Sequence, residues 1–219
     1  MKLKLSDLDR SRLDVRVAET EKRTRTQIVL TVIQRSDTYA ELPWKAFALG
    51  ASVAALLLFL LDWWLYDWYP HVTALITVVG ILACGALLAL LTAMIPRFAK
   101  CFLSDHRAEV EVQQYAKSLF LDRELFATQK RTGILLLVSL FERRVVILPD
   151  KGLDERLKED DVRNMIAAMT PSLKRKQISQ AFDAGLDQLS HILTTNAPDA
   201  VNDELPNEII EEELSLIHI

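Results

Sequence analysis

Apolar residues along this chain are concentrated in one region. Ala46 to Leu61 contains no charged residue, and the run continues past Asp62 as Trp63, Trp64, Leu65 and Tyr66. Val72 to Ile95 is a second uncharged stretch. A helix needs roughly 20 apolar residues to cross about 30 Å of hydrocarbon. The second stretch meets this outright, and the first meets it with Asp62 near an interface, where a carboxylate costs far less than at the bilayer centre. Trp63, Trp64, Tyr66, Trp68 and Tyr69 have the composition of an interfacial aromatic belt. The pattern predicts a two-helix membrane hairpin over residues 45–96. Gly80 and Gly85 are the candidates for close packing between its helices, although their spacing is not that of a GxxxG pair.

The polar segments on either side carry their own periodicities. Leu5 to Glu21 places Leu8, Leu13, Val17 and Ala18 at helical spacing behind Ser6 or Asp7 as a cap. Gln27 to Ile33 (QIVLTVI) is a compact β-branched run, the pattern of a buried strand. After the hairpin, Ser104 or Asp105 can cap an amphipathic helix reaching about Thr128, with Val110, Tyr115, Leu119, Phe120, Leu125 and Phe126 on its apolar face. Gly133 to Leu140 and Arg144 to Leu148 predict two strands joined as a β-hairpin. Helices are predicted near Asp160 to Met169 and Ser172 to Leu193, with Pro171 between them. A short repeat is also visible. Thr20-Glu-Lys-Arg-Thr24 precedes the first strand and Gln129-Lys-Arg-Thr132 the second, an arrangement that predicts adjacent parallel strands.

The fold class expected from these elements is α/β: a small sheet packed with helices and interrupted by the transmembrane hairpin. Residues 1–44 and 97–195 must fold together, because neither part alone has enough strands for a stable sheet. Residues 196–219 form an acidic, Pro-containing tail, expected to be extended or disordered. Its last six residues, Leu214 to Ile219, read like the translation of a sequencing-library transposon end and are set apart from functional argument.

Charge fixes an expected orientation and excludes one class of partner. Arg35 and Lys45 precede the first span, and Arg97, Lys100 and Arg107 follow the second, whereas the connection holds Asp62, Asp67 and His71 without Lys or Arg. The positive-inside rule then puts both termini in the cytoplasm. The first 40 residues are charged throughout and contain no secretory h-region. A net charge of −4 argues against nucleic-acid binding. If the helix of the second span runs on, Cys84 and Cys101 would lie about 25 Å apart, beyond disulfide reach.

Several of these segments resemble the TPM domain family. LSDLDRSRLDVRVAETEKRTRTQIVLTVIQRSDTY is similar to its opening helix, Glu-x-x-Thr turn and strand. RTGILLLVSLFERRVVILPDKGLDERL is similar to its central Thr-Gly, strand, Arg-containing turn, strand and Gly-bearing loop. MIAAMTPSLKRKQISQAFDAGLDQLSHIL resembles the closing helices, and NDELPNE a tail motif of small bacterial membrane members. The resemblance implies helices against a small sheet and a place in the bacterial inner membrane. It also implies roles as diverse as a thylakoid-lumen acid phosphatase, photosystem-II repair and a receptor-associated membrane protein. Some TPM domains bind divalent cations near loop carboxylates.

The chain carries no P-loop, GxGxxG, GxSxG, HExxH or CxxC signature, and its four histidines show no ligand spacing. The candidate site residues lie at strand ends: Asp37 after the first strand, and Asp150 and Asp154 after the third. Carboxylates there are candidate ligands for Ca²⁺ or Mg²⁺, and with such an ion Asp37 and Asp150 become candidate catalytic residues acting on a phosphate ester. Ser36, Asp37, Asp150 and Gly152 serve equally well as turn and cap residues. Lys130 and Arg131, placed where metal-binding relatives frequently carry Asp or Asn, disfavour a cation. With Arg23 and Arg25 they predict a basic sheet edge instead. The expected function is a non-catalytic binding or accessory module, associated with the lipid bilayer and with a membrane-protein partner. A metal-assisted phosphatase is the alternative, and oligomers built through the spans, by way of Gly80 and Gly85, are a third reading.

Overall fold

The structure is a computed structural model that describes residues 6–64, 70–194 and 210–212. In chain order its elements are α1 (Asp7–Thr24), β1 (Gln27–Ile33), α2 (Glu41–Trp64), α3 (Pro70–Met94), α4 (Pro96–Ala99) and α5 (Asp105–Asp122). They continue with β2 (Gly133–Ser139), β3 (Arg144–Pro149), α6 (Glu159–Lys174), α7 (Ile178–Thr194) and β4 (Ile210–Glu212). The chain divides into two compact units, one running to Ser36 and resuming at Glu109, the other comprising Asp37–Ala108.

In the first unit, every residue of β1 and β2 is buried. Strands without a polar face must be covered on both sides, which is the situation of parallel strands in α/β proteins. The strand order is β3-β2-β1-β4, with β1 and β2 parallel from Gln27↔Gly133 to Ile33↔Ser139. β2 and β3 form the expected antiparallel hairpin, and β4 runs parallel to β1 beside Thr31–Ile33. Alternation divides the strand side chains between two cores. Ile28, Leu30, Val32, Ile134, Leu136, Val138 and Ile147 face α1, α6 and α7, where Leu13, Met165, Met169, Phe182, Leu186 and Leu189 meet them. Val29, Ile33, Leu135 and Leu137 face α5, through Val112, Ala116, Leu119 and Phe120.

Polar ties hold α1 to α7: Arg12 pairs with Asp183, and Arg16 with Asp187 and Asp183. Nη2 of Arg156 donates to the carbonyls of Leu193 (2.8 Å) and Thr24 (3.3 Å), the ends of α7 and α1. Helix C-termini favour a cation, which compensates for desolvation of this guanidinium. Burial lowers its pKa.

The second unit is a helical hairpin in which α2 packs along α3. Both helices are long and apolar enough to cross a membrane. Their outward side chains, including Leu56, Leu57, Phe59, Leu60, Leu75, Ile76 and Leu82, are more than half exposed. Gly50 and Gly85 mark the closest approach. A Cβ on Gly50 would stand 2.9 Å from Leu88 and 3.2 Å from the Gly85 Cα, and one on Gly85 would stand 2.9 Å from the Phe47 ring. Gly80 has ordinary room, 3.6 Å from Leu58. The block at 65–69 and the tail at 195–209 and 213–219 lie outside the described residues; within the tail, 210–212 are extended as β4.

Two helix boundaries differ from the sequence expectation. α5 ends at Asp122 rather than near Thr128, because Glu124 takes a left-handed conformation (φ 50°). The chain then makes a 3-10 turn, Leu125–Ala127, that buries Leu125. α6 runs through Pro171 to Lys174, and the break falls at 175–177, where Lys176 is left-handed. Pro171 removes a single backbone donor, and the amides of Lys176 and Gln177 close the end on Leu173 and Ser172.

One core position carries a testable flaw. The Thr31 side chain is fully buried on the α5-facing side of β1, and its hydroxyl has no hydrogen-bond partner. Thr31→Val should therefore stabilise the protein by about 1 kcal/mol in denaturant titration of the detergent-purified protein. A loss of stability would show that the hydroxyl is satisfied.

Candidate functional site

Two arginines stand side by side where the parallel strands begin. Arg25 (φ 57°) and Arg131 (φ 54°) are left-handed, each two residues before a strand, and the Gln27↔Gly133 register places them at equivalent positions. Their amides bond back to the carbonyls of Glu21 (2.7 Å) and Thr128 (3.0 Å). The parallel pairing expected from the sequence repeat is present, but its two motifs are offset by two residues, so that Thr26, not Thr24, is level with Thr132. Arg23, Lys130 and Arg131 are exposed at this end, with Arg25 half-buried among them. Glu21 works inward here. Its Oε1 accepts from the Gln27 side-chain amide (3.0 Å) and the Ile28 backbone N–H (2.7 Å).

Asp150 lies at the same end, just after β3, and is buried. Both of its oxygens are engaged. Arg131 donates from Nε to Oδ2 at 2.7 Å and from Nη2 to Oδ1 at 2.8 Å, and the Lys151 amide adds a third bond at 2.8 Å. Burial acts to raise the Asp150 pKa. The Arg131 hydrogen bonds, the Lys151 amide and the charges of both residues outweigh it and hold the carboxyl below its ordinary range. The same bonds raise the Arg131 pKa. In this arrangement a cation would have to compete with Arg131 for the same oxygens, so the donor set suits an ion pair better than Ca²⁺ or Mg²⁺. Two glycines make the crossing possible. A Cβ on Gly152 would lie 2.1 Å from the Lys130 carbonyl oxygen, and one on Gly133 would lie 2.2 Å from that of Leu125.

The opposite, carboxyl ends of β1 and β2 hold a second buried carboxylate. Glu142, in the β2–β3 turn, accepts from the Ser36 amide (2.9 Å), the Ser36 hydroxyl (2.6 Å) and the Ser139 hydroxyl. The Arg35 guanidinium lies over the neighbouring Phe141 ring at 4.7 Å. Sequence reading passed over Glu142, which looks like a solvated turn residue. Only the turn's position opposite the end of β1 could have signalled it.

The remaining candidates are dispersed. Asp37 belongs to the Asp37–Ala108 unit, where it accepts from the Thr38 amide (2.7 Å) and stands 3.6 Å from Arg107. Asp154 is exposed at the end of the 3-10 turn Lys151–Leu153. Gly80 and Gly85 lie within α3. Among the described residues, no three His, Cys, Asp or Glu side chains converge on a common point.

Two predictions follow from the Asp150 geometry. A carboxyl whose folded pKa is lowered adds stability above its unfolded value of about 4, and that stability disappears as the pH falls through the folded value. Asp150→Asn should therefore be less stable than wild type at neutral pH, with the gap intact down to about pH 5 and closing in melts as the pH falls below about 4. A gap that does not change with pH would mean that the ion pair contributes nothing. Gly152→Ala and Gly133→Ala should each cost about 1–3 kcal/mol in denaturant titration, since the obstructing atoms are backbone oxygens.

Comparison with known proteins places this geometry. Residues 94–192 match the family model described as the TPM domain. No curated protein matches the sequence. Among solved structures, the NMR structure of the BA42 protein from the psychrophilic bacterium Bizionia argentinensis matches with a TM-score of 0.58 at 15% identity. The match covers 96% of this chain and 99% of that one. At this identity the likeness shows a shared fold. Helix α1 and strand β1 precede the stretch that is similar to the TPM domain but complete its sheet, which is assembled from segments on both sides of the apolar hairpin in the sequence.

Proposed function

We propose that this protein is a membrane-anchored TPM-domain module of a bacterial inner membrane, with both termini cytoplasmic, and that it serves a membrane complex as a non-catalytic binding or accessory subunit. The observation that carries this reading is the state of Asp150. The best-placed candidate catalytic carboxylate is buried, bound on both oxygens by Arg131 and acidified, the opposite of a general base or an open metal ligand.

The anchor is supported by the exposed faces of α2 and α3 and by aromatic residues at both ends of α2. Trp44 and Trp63 are 72% and 73% exposed. Nineteen helical residues separate them by about 28 Å, close to the thickness of a hydrocarbon core. The excess of Lys and Arg beside the start of α2 and the end of α3 supports the orientation.

Two measurements test the reading. The purified protein should hydrolyse no generic phosphate ester, with or without Ca²⁺ or Mg²⁺. Metal-dependent turnover that disappears in folded Asp150→Asn would establish the phosphatase alternative instead. Membrane pellets washed in alkaline carbonate should retain the chain. Cys101, which is exposed, should react with an impermeant maleimide in inside-out vesicles but not in spheroplasts. Labelling in spheroplasts would reverse the topology.

A further inference from the structure

The polar end of the hairpin, where α2 begins and α3 finishes, collects cations from three separate places in the sequence. Lys45 lies one turn inside α2, Arg97 lies in α4, and Lys100 opens the 3-10 turn Lys100–Phe102, which touches α2. Lys45 and Arg97 are exposed and Lys100 is half-buried. Two acids of this end, Asp37 and Glu41, each stand 3.6 Å from Arg107. Trp44, beside Lys45, marks the depth. An exposed indole at this level belongs where hydrocarbon meets head groups, and long basic side chains at the same end of the hairpin can reach the phosphate layer.

We propose that Lys45, Arg97 and Lys100 form a docking surface for anionic phospholipid head groups. The proposal rests on the membrane reading above and names the lipid class that the anchor prefers. Each Lys or Arg held at a charged membrane surface adds attraction that salt weakens. Trp44 and the Phe98–Phe102 edge-to-face pair (5.4 Å) give the apolar footing for these cations.

The test uses the full chain reconstituted in vesicles of phosphatidylcholine alone, or of phosphatidylcholine with about one-third phosphatidylglycerol. Phosphatidylglycerol should raise the thermal midpoint of the wild type by several degrees, and high salt should remove most of that gain. K45Q/R97Q/K100Q should lose at least half of the gain, while the charge-preserving K45R/R97K/K100R should keep it. Inorganic phosphate added to phosphatidylcholine vesicles should not reproduce the effect; an equal shift would make the surface a phosphate site rather than a lipid one. A wild type with the same midpoint in both lipids would overturn the proposal even if the charge variant failed to fold. Carbonate extraction separates the two levels. A chain that washes off refutes the membrane reading itself, whereas one that stays but ignores phosphatidylglycerol refutes the lipid preference alone.

Discussion

The pairing of β1 with β2 is the constraint on which this structure depends. The strands are parallel, adjacent and buried on both faces, yet they enter from opposite sides of the apolar hairpin. A parallel pair always needs a crossover connection, ordinarily a single helix. Here the crossover contains α2, α3 and α5. Closing so long a loop is entropically costly, although the cost grows only with the logarithm of its length. The hairpin reduces it further. Two antiparallel helices return the chain to the side it left, so the excursion resembles a long insertion in a short loop. The Glu142 carboxylate ties the exit of β1 to the β2–β3 turn through Ser36 and Ser139, fixing the crossover's starting point.

Most of the fold was legible because its strongest signals are continuous. QIVLTVI and GILLLVS are apolar without alternation, so they could only be doubly covered strands or helical core. Their length, β-branched content and flanking basic turns decided between the two. The hairpin was legible for the same reason. Helix ends were less so. Nothing in the run from Asp122 to Phe126 distinguishes a helix from a left-handed stop at Glu124, since the choice is made by burial of Leu125. Pro171 looked like a terminus, but a proline near the end of a helix forfeits one donor and little else.

The candidate site was less legible. Sequence grouped Asp37 with Asp150 as carboxylate ligands and took Arg131 as a reason to doubt a cation, whereas Asp37 lies beside Arg107 and Asp150 pairs with Arg131. Glu21 and Glu142 could not be singled out, because their donors include backbone amides and hydroxyls that sequence does not advertise, in the case of Glu142 and Ser36 at a separation of 106 residues. Three buried carboxylates thus serve strand ends. Acidic groups engaged in this way favour one arrangement of the sheet.

The separation of β1 from β2 also has a temporal side. During synthesis at about 5–20 residues per second, the partner of β1 emerges roughly 5–20 s after β1 itself. Throughout that interval the apolar strand has only α1 to cover one of its faces and is followed by two long apolar helices. Glu21, bonded to the Ile28 amide, comes from α1 and is made first, so part of one edge can be closed before any strand arrives. The order of segments in this protein makes synthesis of the apolar hairpin an early event and completion of the sheet a late one, with the nascent β1 dependent on local shielding in between.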